Sequence, residues 1–239
     1  MIDLHAHILP GLDDGPPTIE DALVMARAAA DAGTRAVATT CHVNHFSGLG
    51  PGEIGAGRAA LAERLADEGV ELDLLPGGEV AHERLPELDD DDLRRLALGG
   101  GPYVLLECPF TPVDGLMDPI VADLQRRGFG VLLAHPERSA TFQRDPARLG
   151  ALVERGALAQ VTAGSFIGDF GETPRRAALT MLERGIVHVL ASDAHDAVHR
   201  PPDLRAVGGA VDAAQVEWMT QAAPAAIVAG RDLPERPPL

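Results

Sequence analysis

The chain opens Ile2-Asp3-Leu4-His5-Ala6-His7-Ile8-Leu9-Pro10 and soon reaches Asp13-Asp14-Gly15-Pro16. His5 and His7 end a run long enough only for a short buried strand. They project from one face because side chains alternate along extended backbone. Two neutral imidazoles side by side form a chelate, and imidazole is the commonest protein ligand for zinc-like metals. Residues of the same chemistry recur downstream, each just after a short apolar run: His42, Glu79, Glu107, His135, Asp193 and His195, with Asp14 in the loop above the first run. The candidate ligands are thus five His (His5, His7, His42, His135, His195) and four carboxylates (Asp14, Glu79, Glu107, Asp193). A tetrahedral catalytic zinc needs only three protein ligands plus water. The set is therefore sized for two or three divalent ions, with Glu79 placed to bridge. Mixed imidazole and carboxylate donors suit Zn, Mn or Fe.

Charge at such a mouth points to an anionic substrate. Three divalent ions against four carboxylates leave about +2 before any arginine is counted. Arg138 lies shortly beyond His135, and Arg200 shortly beyond His195. Guanidinium forks grip phosphate bidentately. The chemistry that follows is in-line attack on phosphorus by a metal-bound hydroxide, with metals and arginines taking up charge on the other oxygens. Neither Cys41 nor Cys108 has an arginine at the spacing of thiol-based tyrosine phosphatases, so both read as bystanders.

The elements that must position these residues are legible in outline. Short apolar runs at Ile2 to Leu4, Arg35 to Thr40, Val70 to Leu75, Tyr103 to Leu106, Phe129 to Ala134, Ala157 to Val161 and Ile186 to Ala191 read as seven strands. Helical patterns alternate with them: from Thr18, a cap with Asp21 three residues on, to Gly33, then about 58–68, 116–127, 146–155 and 174–184. Strands this apolar are buried on both faces, as in a parallel sheet closed on itself. The predicted fold class is α/β, a TIM-like (β/α)7 distorted barrel, in which every candidate ligand sits at a strand's carboxyl end and converges on one mouth. The loop from Asn44 through the glycines to Gly57 reads as a mobile flap beside the site. The aspartate run at 89–92 reads as a solvated loop or helix N-terminus. Residues 203–239 are expected to hold one or two helices, Trp218 to sit in the core, and the Pro-rich tail from about Pro234 to fray. One domain spans 1–239.

Composition removes other classes of function. A formal charge of −16, from 36 acids and 20 bases, repels phosphate backbones and anionic lipid, so nucleic acid is not expected as a partner. All 20 bases are arginine, which excludes Schiff-base lysine chemistry and a carbamylated lysine bridging two metals. Two cysteines fit a reducing compartment. No signal segment or long apolar stretch is present, so a cytoplasmic protein without membrane insertion is expected.

Taken together, Ile2-Asp3-Leu4-His5-Ala6-His7, Asp13-Asp14-Gly15, Thr40-Cys41-His42, Pro76-Gly77-Gly78-Glu79, Leu106-Glu107, Ala134-His135-Pro136-Glu137-Arg138 and Ala191-Ser192-Asp193-Ala194-His195 are specific in combination. From Met1 to about Arg200 the chain resembles the PHP superfamily (polymerase and histidinol phosphatase domains). Within it, the similarity is to the bacterial manganese-dependent protein tyrosine phosphatases linked to capsule and exopolysaccharide synthesis. That resemblance implies one metal on His5, His7, Glu79 and Asp193, a second on Glu79, Glu107 and His135, and a third on Asp14, His42 and His195. It implies manganese as the first candidate, Arg138 and Arg200 as phosphate contacts, and phosphotyrosine on a cognate bacterial tyrosine kinase as substrate. The loop after His42 departs from such relatives: it carries His45 and Phe46 and no basic residue before Arg58. The alternatives are a small-molecule phosphatase of the histidinol phosphate type and a PHP fold kept as a non-catalytic metal-binding regulatory module.

Overall fold

The computed structural model describes residues 1–207 and 209–238. Its wall is made of β1 (Ile2–Ala6), β2 (Ala36–Thr39), β3 (His42–Val43), β4 (Asp73–Leu75), β5 (Glu79–Val80), β6 (Tyr103–Glu107), β7 (Gly130–Ala134), β8 (Leu158–Thr162) and β9 (Val189–Ala191). All pair in parallel, in the orders β1-β2-β4 and β3-β5-β6-β7-β8-β9. These two sheets are one wall. β3 continues β2 beyond Thr40-Cys41, and β5 continues β4 beyond Pro76-Gly77-Gly78. A parallel bridge between Ala6 and Ala194 closes the ring, with His7 N donating to Ala194 O (2.9 Å) and Asp193 N donating to His5 O (2.8 Å). With each interrupted pair counted once, the nine segments form seven staves, the α/β distorted barrel read from the sequence.

Around the wall run α1 (Ile19–Asp31), α2 (Pro51–Asp67), α3 (Asp90–Leu96), α4 (Met117–Arg126), α5 (Ala140–Arg144), α6 (Pro146–Glu154), α7 (Ala163–Ile167) and α8 (Glu172–Glu183). A last helical stretch is α9 (Ala213–Glu217), a π-turn (Trp218–Ala222) and α10 (Ala223–Val228). Thr18 caps α1 as expected, accepting from Asp21 N (3.2 Å) and donating to the Asp21 carboxylate (2.6 Å). Asp89 accepts from Asp91 N and Asp92 N, so the aspartate run is the start of α3, where negative charge suits the helix dipole.

Alternation along the strands separates two apolar layers. Leu4, Ala38, Leu105, Leu132, Leu158 and Val189 fill the barrel interior, closed by Leu98 and Ile227. Their neighbours Val37, Val104, Leu106, Val131, Leu133, Ala159 and Leu190 pack outward under the helices. In β1 a register shift between Asp3 and Ala6 moves the alternation by one: Leu4 belongs to the interior, whereas Ala6 and Ile8 pack outward. His5 and His7 are thereby turned inward above the apolar layer.

Three expectations need correction. The glycine-rich stretch is not a flap through Gly57: α2 begins at Pro51, because Pro suits a first helical position, Glu53 accepts from Gly50 N (3.1 Å), and Ile54 is buried. Only residues 44–50 remain as loop. The third stave begins at Asp73 rather than Val70. The last stave begins at Val189 rather than Ile186. The described residues of the tail make hydrogen bonds back to the body of the chain. Arg236 donates to Gly185 O and Val187 O (2.9 Å each), Gln215 donates to Pro237 O (2.6 Å), and Trp218, 6% exposed in the core, donates to Pro234 O (3.2 Å). Leu239 lies outside the described residues. Among those residues no helix is long and apolar enough to cross a membrane.

Candidate metal centre

All nine candidate ligands meet at the carboxyl ends of the staves. Four overlapping groups bring their ligand atoms within 4.8 Å of one another: His7, Asp14, His42 and His195; His5, His7 and Asp193; His5, Glu79 and His135; His42, Glu79 and Glu107. His5, His7, Glu79, His135, Asp193 and His195 are buried, His42 and Glu107 are half-buried, and Asp14 is exposed at the rim. The turn carrying Asp14 must press onto β1. A Cβ on Gly15 would stand 2.2 Å from His7 O, a contact no side chain can make.

The hydrogen bonds show what the cluster lacks. His5 Nδ1 donates to Gln160 Oε1 (2.9 Å) and His7 Nδ1 donates to Asp13 Oδ2 (2.7 Å). Their Nε2 lone pairs are left facing each other across 3.2 Å. His195 Nδ1 donates to Asp193 O (3.0 Å), which aims its Nε2 lone pair at Asp14 Oδ1, 3.2 Å away. Glu79 Oε2 and His42 Nδ1 are buried without a hydrogen-bond partner, 3.0 Å apart. Imidazole nitrogens and carboxylate oxygens crowded together in this way are what divalent cations satisfy, and imidazoles fixed through their other nitrogen are how metal ligands are held. The residues fit the metals.

Charge gives the same answer. Burial opposes a charge on His5, His7 and His42, yet the surrounding carboxylates outweigh it and raise all three imidazoles above their ordinary value. Glu79 and Asp193 are held well below the carboxylate range despite burial, Glu79 by His5, His135 and His42, and Asp193 by His5, His7 and Arg200. Glu107 is pushed up by burial and by the charge of Glu79. Seclusion of both thiols from water raises Cys41 and Cys108 strongly, so neither offers a thiolate.

Two positions carry backbone strain. His135 (φ 34°) and Asp193 (φ 50°) are the non-glycine residues with left-handed backbone among those described, and each follows the last residues of a strand. Such conformations persist where the surroundings over-determine them. Here the turn swings an imidazole and a carboxylate inward over the lumen.

Several supporting residues had no assigned role in the sequence reading. Asp13 Oδ2 accepts from His7 Nδ1 and also from His42 N (2.9 Å), tying two staves together. Gln160, an amide inside the apolar eighth strand, was the one legible signal of this kind. Asp3 accepts from Ser192 N (3.1 Å) and Ser192 Oγ (2.5 Å), which joins the first stave to the last; burial lifts its carboxyl to about 6. Asp196 Oδ1 accepts from Val198 N (2.6 Å) and His199 N (2.5 Å), folding the loop that delivers Arg200.

Both arginines arrive at the cluster. Arg138 Nη1 (2.5 Å) and Arg200 Nη2 (2.6 Å) donate to the same oxygen of Asp193. Phe110 and Phe170 flank the Arg138 guanidinium at 4.8 and 4.4 Å, and Phe110 also stacks on His135 with ring centroids 5.1 Å apart. Each guanidinium keeps further N–H donors beside a set of cation sites, an arrangement that can hold a phosphoryl group against metals.

Known proteins are similar to this chain in sequence and in fold. The chain is 39% identical over 199 residues to the tyrosine-protein phosphatase YwqE of Bacillus subtilis, covering 82% of this chain and 78% of that protein. It is 25% identical over 211 residues to the tyrosine-protein phosphatase CpsB of Streptococcus pneumoniae, covering 86% of this chain and 87% of that protein. Among solved structures, one from work on YwqE and CpsB, described as unique metal-dependent tyrosine phosphatases, matches with a TM-score of 0.87 at 31% identity, covering 100% of this chain and 98% of that one. The phosphotriesterase homology protein of Escherichia coli shares the fold alone, with a TM-score of 0.60 at 13% identity over 95% of this chain and 97% of that one. The family described as capsular polysaccharide synthesis, CpsB/CapC, matches residues 1–221, and the chain belongs to it.

Proposed function

We propose that this chain is a metal-dependent phosphomonoesterase that removes phosphate from phosphotyrosine in a protein. Its substrate on this reading is a bacterial tyrosine kinase of polysaccharide synthesis, met in the cytoplasm, and the whole chain serves as one phosphatase domain. The observation that carries the reading is the meeting of Arg138 and Arg200 at Asp193, inside a cluster of imidazoles and carboxylates whose ligand atoms converge within 4.8 Å. The names of the relatives support the choice of tyrosine.

We assign His5, His7, Glu79 and Asp193 to a first ion, Glu79, Glu107 and His135 to a second, and Asp14, His42 and His195 to a third, with manganese the preferred metal. The overlap of the four observed groups at Glu79, His5, His7 and His42 supports a shared set of this size. Divalent ions, when bound, supply Lewis acidity at the phosphoryl group and a nucleophile at neutral pH. The protein's own part is to orient and to neutralise. Arg138, braced by Phe110 and Phe170, and Arg200, braced by the Asp196 turn, hold the non-bridging oxygens and take up charge as the bond to the phenol oxygen breaks. The buried thiols take no part.

The test sets a phosphotyrosine peptide beside histidinol phosphate, with wild type, His42→Ala and Arg138→Ala loaded with manganese. The peptide is expected to be the better substrate, and each substitution to lower kcat/KM by about 10²-fold or more. Preference for histidinol phosphate would keep the site and reject the substrate. No turnover of either would favour a metal-binding module.

A further inference from the structure

Aromatic residues are scarce in this chain, at 3%, and where they are left exposed is informative. Five large apolar side chains stand out as exposed among the described residues: Val24, Phe46, Phe110, Ile167 and Val198. All but Val24 lie on segments that leave the carboxyl ends of strands, around the mouth. Phe110 is already engaged with His135 and Arg138. Phe46 is different: it is fully exposed, at 101%, yet it lines a cavity of about 490 Å³ whose other walls include Leu12, Asp14, His42 and Ser47.

The loop holds Phe46 in place. Asn44 Oδ1 accepts from Ser47 N (2.8 Å), Ser47 Oγ donates to His42 O (2.6 Å), and Gly48, at φ 65°, donates its N–H to Asn44 O (3.0 Å). A closed turn thus presents the ring at its apex, joined directly to His42. Leaving a phenylalanine wholly in water forgoes the free energy of burying it, and an aromatic face is satisfied by another ring stacked or set edge-on against it. The cavity lining combines polar groups, Asp13, Asp14, His42, Asn44 and Ser47, with two apolar side chains, Leu12 and Phe46. A phosphoryl group held at the metal-type ligands must extend its ester substituent outward past them.

We propose that Phe46, with Leu12 of the same cavity, is the specificity-determining platform for the leaving-group ring, so that the site selects aryl over alkyl phosphate monoesters. This rests on the phosphatase reading above. The ring supplied by the substrate takes the place of the missing packing partner, while the anion end is held independently by Arg138 and Arg200. The platform therefore contributes to the binding of aryl compounds and not of phosphate itself.

Isothermal titration of the manganese-loaded protein with phenylphosphonate and with inorganic phosphate separates the two ends. Phe46→Ala is expected to weaken phenylphosphonate about tenfold and to leave inorganic phosphate within about twofold, and Phe46→Trp to restore the aryl ligand. The inference is overturned if Phe46→Ala leaves phenylphosphonate unchanged or weakens both ligands equally. It is also overturned, with the anion site intact, if wild type binds phosphate but gains nothing from the phenyl group. Wild type that binds neither ligand would reject the phosphatase reading and the ring platform together.

Discussion

Asp13 shows how much of the site depends on residues that would touch no metal. One of its carboxylate oxygens fixes the His7 tautomer and the backbone of His42, and the other accepts from Gly15 N (3.1 Å). Removing it frees the His7 ring to rotate and to protonate on either nitrogen. Asp13→Ala is therefore expected to lower metal affinity by about 10–100-fold, measured by competition with a coloured chelator, while the circular dichroism spectrum is unchanged. An affinity equal to wild type would show that the ring is held by packing alone. The convergence of the nine candidate ligands was legible in the sequence because metal chemistry restricts residue type and strand ends restrict position. The braces were not. Asp13 was visible in its motif, but nothing in Asp13-Asp14 says which carboxylate faces a ring and which faces the rim. Phe110 and Phe170 sit in loops, where no periodicity reports a contact made across the barrel.

At the level of elements, burial separates what the sequence could specify from what it could not. Apolar runs of strand length marked the staves, but runs apolar on both faces do not say which side chains look inward, and in β1 a register shift moves the alternation by one. The breaks inside two staves, at Thr40-Cys41 and Pro76-Gly77-Gly78, follow instead from close packing; a Cβ on Gly78 would meet Leu96 at 2.7 Å. The start of α2 was hidden by its glycines, which read as loop until Ile54, Leu61 and Leu65 are seen buried on one face. In the tail, prolines argue against a helix, but not against a latch of hydrogen bonds at Arg236. That latch lies beside His188, whose Nδ1 accepts from Ala159 N (3.2 Å). Burial, and then the Arg236 cation, hold its imidazole down to about 4. Below an ordinary histidine value the unfolded chain takes up a proton that the folded chain refuses, so stability falls as pH drops from about 6.5 toward 4. The loss from this residue is about 2–3 kcal/mol at pH ~4.5. His188→Asn retains an acceptor without the titration and is expected to show a correspondingly smaller drop in urea stability between neutral and acid pH. Equal drops in the two proteins would remove His188 from the account.

For the whole molecule, the telling contrast is between a chain of formal net charge −16 and a mouth suited to an anion. Arg138 and Arg200 both pair with Asp193 at that mouth, so on the proposed reading the further attraction for a phosphoryl group comes from bound metals, which overturn the local sign of the carboxylates. The barrel achieves this by topology. Candidate ligands from every part of the chain between His5 and His195 are delivered to one rim because parallel staves all end there. The most direct measurement is hydrolysis of a phosphotyrosine peptide after exhaustive chelation and then during titration with manganese. Turnover is predicted to fall by roughly 10³-fold or more on chelation and to return as about two to three equivalents of manganese bind. Undiminished turnover by the metal-free protein would contradict the account at its centre.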